Sequence, residues 1–338
     1  MRVVRRTNKK TVTRLILLTG AWLAGGFGTL LFPEIPVHLT VREVPARARD
    51  SAPFLARPVA IVCDRDGIFV LDSGDADIKV FARDGSFRRS IGRRGSGPGE
   101  FRMPGDLDVL GGRIYVADCG NRRVQVLSGE GSYLEGFGLK RMPWRVLALD
   151  EDRIVVVHLP SGLSGPEKMV TCYHRNGVEA WRAADAVVSG DSVFDALRNQ
   201  VLLSRSPGGG FWLVNCFDDR LIRHIGGQGA LTAAASPSEA DLPFRDISVP
   251  TAKGRRRTVR GFCRSCAEAG GRLFLLLPDY TEDRDLGPGR SIAVLSGGGR
   301  VEAIIDLPER LSRIAVDGDT IYAIDPEPRL RILKVMTE

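Results

Sequence analysis

Gly67-Ile68-Phe69-Val70-Leu71-Asp72 is answered without a gap by Arg113-Ile114-Tyr115-Val116-Ala117-Asp118, and Ile78/Val124, Gly85/Gly131 and Gly92/Gly138 keep the same spacing, 118 − 72 = 46 residues. A fixed period of roughly 20 to 50 residues marks a repeat architecture, in which each unit hides its apolar face only against the next copy. Each copy reads as strands: Val59 to Cys63, Ile68 to Asp72, Ile78 to Phe81 and Phe87 to Ile91 are short β-rich runs. Asp66-Gly67 and Asp84-Gly85 supply the tight turns between them, because Gly tolerates the positive φ that a two-residue hairpin requires. Four antiparallel strands in about 40 to 50 residues make one blade of a propeller. No helical period appears inside a unit, which argues against a solenoid.

Weaker copies follow. Leu147 to Leu149, Arg153 to His158, Met169 to His174 and Val178 to Arg182 read as a third blade, and Val201 to Ser204, Phe211 to Asn215 and Arg220 to Ile225 as a fourth without a visible outer strand. Phe262 to Ala267, Arg272 to Leu277, Ser291 to Leu295 and Arg300 to Ile305 give a fifth. The sixth has only three strands, Ile314 to Val316, Thr320 to Asp325 and Arg329 to Val335. The alternating segment Val37 to Val44 is the natural fourth, since closing the ring with a strand from the other end removes unpaired edges. The expectation is an all-β, six-bladed propeller over residues 35–335.

Gly95-Ser96-Gly97-Pro98-Gly99-Glu100-Phe101, Pro104-Gly105-Asp106-Leu107, Ile114 to Asp118 and Asn121-Arg122-Arg123-Val124-Gln125-Val126 together resemble the NHL repeat of six-bladed propellers. One copy matches closely, Pro58 to Phe81 matches well, and the others share only the strand pattern. The resemblance implies the fold and hardly constrains function, because propellers host binding modules, scaffolds and a few enzymes.

The 39 glycines supply turns, and 43% hydrophobic residues in a chain of 338 suffice for the inter-blade layers. The net charge of +7 is mostly a terminal tag: Arg2, Arg5, Arg6, Lys9, Lys10 and Arg14 leave 7 − 6 = +1 for the rest. After this basic region (residues 1–14) come eighteen uncharged residues from Leu15 to Phe32. A basic head before an apolar stretch is an export signal. Its length, roughly 27 Å as a helix, suits an uncleaved anchor, while Ala24 and Gly26 offer a small-x-small cleavage site. Basic residues before the segment keep the N-terminus in the cytoplasm and put the propeller outside, membrane-tethered if uncleaved and secreted if cleaved. Export and a near-neutral body disfavour nucleic acid as a partner.

Six cysteines, Cys63, Cys119, Cys172, Cys216, Cys263 and Cys266, are compatible with buried thiols or structural bridges. Cys119 and Cys216 share one blade position and form a candidate pair. Cys263-x-x-Cys266 lacks a second pair at zinc-ligand spacing.

Ligands of propellers are sought at the channel rim, where the connections between blades converge. Here the rim maps to Arg57, Arg102, Arg141 and Trp144, with the second-strand ends Asp72, Asp118, His158, Asn215, Asp279 and Asp325. A ring of carboxylates suits a hard divalent cation, but an Asp ending each strand more often accepts N–H groups of the next turn. Of the histidines, His38, His174 and His224 fall away from the axis and only His158 is well placed, so a three-histidine metal site is not expected. Gly-x-Ser-x-Gly, a phosphate loop and His-Glu-x-x-His are all absent from the sequence.

The segment 228–257, with Lys253-Gly254-Arg255-Arg256-Arg257, departs from the repeat. It reads as a solvated polar insertion or as a basic contact for anionic lipid or an acidic partner. Two functions emerge. The first is a non-enzymatic binding module for protein, peptide or glycan, using Arg57, Arg102, Arg141, Trp144, His158 and Asn215, with no cofactor. The alternative is a lyase or hydrolase with one divalent metal at Asp118, His158 and Asp325.

Overall fold

The computed structural model describes residues 36–45, 53–158, 167–217, 222–236, 242, 245–250, 254–279 and 287–336. The basic region and the apolar segment 15–32 lie outside them. Among the described residues no helix is long and apolar enough to cross a membrane.

The chain is an all-β, six-bladed propeller. Blade 1 comprises Pro58–Asp64, Gly67–Asp72, Asp77–Phe81 and Phe87–Ile91 in that order from axis to rim, and blade 2 comprises Pro104–Leu110, Arg113–Asp118, Arg123–Ser128 and Tyr133–Gly138. Blade 3 runs Pro143–Ala148, Arg153–His158, Lys168–His174 and Glu179–Asp185, and blade 4 runs Val201–Ser206, Gly210–Asn215, Ile222–Gly226 and Leu231–Ala235. Blade 5 is Ser265–Ala269, Arg272–Leu277, Gly289–Leu295 and Val301–Leu311. Blade 6 is Arg313–Asp317, Thr320–Ile324 and Leu330–Met336, with Val37–Val44 outermost.

The second strands are apolar on both faces because each blade is covered on both sides. In blade 2, Ile114 and Val116 pack against Phe69, Leu71 and Ile78 of blade 1, whereas Tyr115 and Ala117 pack with Val146, Ile154 and Val156 of blade 3. Successive side chains point to opposite faces, so one strand serves two inter-blade layers. The circle closes where Ile61, Ile68 and Val70 of blade 1 meet Tyr322, Ile324 and Ile332 of blade 6.

Val37–Val44 pairs antiparallel with the last strand, Thr40 opposite Met336 and Val44 opposite Ile332. Its first half also pairs in parallel with blade 5, Val37 opposite Ala303 and Thr40 opposite Asp306. This second pairing, not foreseen in the sequence, joins blades 5 and 6 into one eight-stranded sheet.

The segment 228–257 divides into parts of different character. Leu231–Ala235 is the outer strand of blade 4 that the sequence hid, because an exposed edge strand needs no apolar face and Thr-Ala-Ala-Ala gives no alternation. Further on, Arg245–Pro250 and Arg256–Gly261 pair as a separate hairpin. The connection between blades 3 and 4 holds a short helix, Ser192–Arg198, whose N-cap Asp191 accepts the Phe194 N–H at 3.1 Å. The Arg257 guanidinium lies 4.8 Å from the Phe194 ring, linking hairpin to helix.

Candidate functional site

The first strands of all six blades surround the axis and enclose a channel of about 200 Å³. Its wall carries Asp106, Asp108, Arg145, Arg205, Glu268 and Arg313 among apolar neighbours such as Val62, Leu147 and Ala315. A local device sets which side chains face the lumen. The ladder shifts register between Pro104 and Asp106, and again between Pro143 and Arg145, so the residue after each shift pairs with the one preceding the end of the second strand. By the same register Ala60 faces Leu71, Asp106 faces Ala117, Arg145 faces Val157, Leu202 faces Val214 and Arg313 faces Ile324. These five positions therefore form one layer, near the face that carries the connections between blades, the loop face. Proline at the head of the strand and the irregularity behind it re-aim the side chains that follow.

Within this layer the arginines reach across blades. Arg145 donates from Nε to the Val201 carbonyl and from Nη1 to the Gly105 carbonyl, both at 3.2 Å. Arg313 donates from Nε to the Val59 carbonyl at 3.0 Å and from Nη1 to the Ser312 carbonyl at 2.8 Å. Asp106 accepts the Val146 N–H at 3.2 Å. It keeps a view of the lumen while protein encloses it, and this burial, only partly opposed by the Arg145 charge, pushes its carboxyl up to about 6. Burial lowers Arg313 to about 10, with the nearby Arg264 and Arg145 guanidiniums adding to the effect. One layer deeper, Asp108 is neutralised by Arg205 and also accepts the Ala148 N–H at 2.8 Å.

The second-strand ends have another role. Asp72 accepts the N–H groups of Ala56, Arg57 and Gly74 at 2.6–2.8 Å, tying the incoming connection to the next turn. Asp118 accepts from the Arg102 N–H at 2.7 Å, Asn121 Nδ2 and Arg123 Nε at 2.8 Å, and Gln125 Nε2 at 3.1 Å. The same side chains hold the glycine-rich loop: Asn121 Nδ2 donates to the Gly95 carbonyl, Arg123 Nη2 to those of Gly97 and Glu100, and the Gly99 N–H donates to Gln125 Oε1. Asp325 accepts from the Arg329 N–H and Nε at 3.0 and 2.8 Å. These carboxylates are filled by the turns that follow them together with the incoming connection or the third strand, an extended form of the Asx-turn.

The rim residues expected from the sequence meet different fates. Arg102 is exposed, and Arg57 is exposed with Nε on Ser73 Oγ at 2.8 Å. Trp144 is half-buried with the Arg145 guanidinium 5.2 Å from its ring. Gly105 permits this packing, since a Cβ there would stand 2.5 Å from Cys119 Sγ and 3.2 Å from the Trp144 carbonyl. Arg141 is half-buried and paired with Glu167 at 3.1 Å. Asn215 is buried, accepting from Arg223 Nη2 at 3.1 Å. His158 is 2% exposed with Nε2 3.2 Å from the Tyr173 hydroxyl. Burial, and then the Arg141 charge, hold its imidazole down at about 4. Asp118, His158 and Asp325 end the second strands of three different blades and do not converge. Among the described residues no three His, Cys, Asp or Glu side chains come together as a metal would need.

All six cysteines are thiols, so Cys119 and Cys216, in blades 2 and 4, are not bridged. Cys263 is enclosed in the layer between blades 4 and 5, while Cys266 reaches the channel wall. Two apolar side chains on the connections into blades 1 and 2 are exposed, Phe54 at 77% and Met103 at 57%; Met103 lies in the Arg102-Met103-Pro104 segment expected at the rim, whereas Phe54 was not expected there. Met103 also adopts a left-handed backbone, φ 48°, which is uncommon for a residue with a side chain and clusters at ligand clamps.

A family model described as a six-bladed β-propeller matches residues 50–170. No curated protein matches the chain in sequence. Among solved structures, the chain is similar to a candidate exported protein from Bacteroides fragilis, with a TM-score of 0.59, 14% identity, and 90% of this chain and 99% of that one covered. It is similar also to virginiamycin B lyase from Staphylococcus aureus, with a TM-score of 0.51, 12% identity, and 89% and 100% covered. A third is hydrazine synthase of Kuenenia stuttgartiensis, with a TM-score of 0.51, 11% identity, and 86% and 98% covered. At such identities the likeness concerns the fold, which serves different functions.

Proposed function

We propose that this propeller is a non-enzymatic binding module that takes a protein, peptide or glycan on its loop face, over the channel mouth. The observation that carries the reading is the composition of the connections leading into the inner strands: exposed Phe54, Arg57, Arg102 and Met103 and half-buried Trp144 lie next in sequence to the first strands that line a polar channel. Apolar and aromatic anchors with arginine are the residue types enriched where binding energy concentrates. A strained Met103 pointing outward fits a clamp better than a packing role. The basic region and apolar segment 15–32 support a propeller outside the cytoplasm, tethered to the membrane.

The test is a panel of immobilised peptides and glycans probed with the full chain in mild detergent, with bound species examined by mass spectrometry. Captured species should be recovered unchanged. Capture should fall by about tenfold or more in Arg102→Glu and Trp144→Ala, as for central anchors of an interface. Chemical conversion of a captured species would overturn the non-enzymatic reading, and undiminished capture by both variants would move the site off this rim.

A further inference from the structure

The channel layer at the loop face has more positive charge than its own residues neutralise. Arg145 and Arg313 spend their hydrogen bonds on carbonyl oxygens. Among the described residues neither has a carboxylate at ion-pair distance. Carbonyls orient a guanidinium without cancelling its charge, and an enclosed uncompensated charge is costly. Asp106, the one acid at this height, is raised only to about 6, so it is mostly ionised near neutral pH and offsets one of the two guanidinium charges. Deeper in the channel the balance changes: Asp108 and Arg205 cancel, and Glu268 lies beyond on the wall. The lumen is thus polarised, positive toward the loop face and neutral to negative behind it. Such a field draws an anion in from one side and stops it at the first layer.

We infer that the loop-face end of the channel is an anion site, in which Arg145 and Arg313 receive an oxyanion: a carboxylate or a phosphate or sulfate group borne by the ligand. Arginine suits this because its planar fork pairs with two oxygens at once. The space available, about 200 Å³, admits a terminal anionic group and not a whole folded partner. The inference rests on the binding-module reading only in placing the ligand on the loop face. It adds that the part entering the channel is acidic.

The test is titration of the full chain in mild detergent at low ionic strength with sulfate, inorganic phosphate and succinate, followed by calorimetry and by the shift in melting temperature. At least one should bind saturably at one site per chain, and the strongest of the three names the group. Arg313→Gln keeps a donor for the Val59 carbonyl and removes the charge; it should weaken that binding by about tenfold, as for loss of a charge-assisted pair. Asp106→Asn removes the competing carboxylate and should strengthen binding several-fold, which keeps the test decisive if Arg313→Gln fails to fold. No saturable binding, or binding indifferent to both substitutions, would overturn the anion site. Capture of a neutral peptide or glycan by the rim, lost in Trp144→Ala but unaffected by Arg313→Gln, would overturn the anion site and leave the binding module intact.

Discussion

Asp106 and Asp118 stand on adjacent strands of one blade and live in opposite circumstances. Asp118 is surrounded by four donors, three of which also hold the glycine-rich loop. Asp106 has one backbone donor and a view of the lumen, and burial leaves its charged form disfavoured. The same contrast separates their arginines: Arg123 is spent on Asp118, whereas Arg145 points its charge at an open channel. The position of Asp118 recurs from blade to blade because every blade needs its turn tied down. At the height of Asp106 and Arg145 the blades differ, with Ala60, Leu202 and Arg313 in the corresponding positions. Recurrence marks the scaffold, and departure from it marks the site.

The contrast breaks most visibly at Asp118. Asp118→Ala leaves Arg123, Gln125 and the Arg102 N–H without their acceptor and should cost about 3–5 kcal/mol, as removal of one partner of a buried pair does. The urea midpoint measures it. A loss below about 1 kcal/mol, the worth of a surface pair, would put Asp118 in the same class as Asp106.

His158 comes next. Its folded pKa of about 4 lies below the ordinary 6.5, so the unfolded chain takes up the proton first. Stability should be intact above pH 6.5 and fall by about 3 kcal/mol as pH drops toward 4. Denaturation across that range checks it, and His158→Gln should flatten the slope. An unchanged slope in the variant would mean that protonated His158 is tolerated, as at an open mouth.

The smallest effect has the opposite sign. The Asp106 carboxyl is raised from 3.8 to about 6 in the folded chain, so it favours folding when protonated. That advantage is lost as pH rises from 3.8 through 6. Asp106→Asn should therefore gain on the order of 2 kcal/mol at pH 7, while leaving the acid limit little changed. If Asp106→Asn destabilises the protein at pH 7 as Asp118→Ala does, the two aspartates share one structural role and the distinction fails.

Much of the fold was legible because its physics is periodic. The strands Gly67–Asp72 and Arg113–Asp118 follow the quoted runs, and Val37–Val44 closes the ring at the expected residues. Less legible were elements outside the repeat's period: the alanine-rich edge Leu231–Ala235, which burial does not dictate, the hairpin at 245–261, and the helix Ser192–Arg198, which is pinned by Phe194 but sits in a connection between blades. The candidate site was less legible. Arg57, Arg102 and Trp144, expected on the connections between blades, are exposed or half-buried there, but His158 and Asn215 sit inside packed layers. The channel wall depends on register shifts behind Pro104 and Pro143, which a strict alternation miscounts. One signal was available: Asp106, Arg145, Arg205 and Arg313 are charges set in strands otherwise built of apolar residues.

The strand that completes blade 6 also fixes the order of events when the protein is made. Thr40 pairs with Met336, so the closing contact spans 336 − 40 = 296 residues. Contacts so distant in sequence are slow to form. Until Leu330–Met336 has been synthesised, Val37–Val44 has no antiparallel partner. A growing chain therefore presents unsatisfied strand edges throughout translation, the condition under which β-proteins are most exposed to aggregation. Closure acts as a latch thrown last, and an arrested or truncated chain would be recognisable to quality control by its open ring.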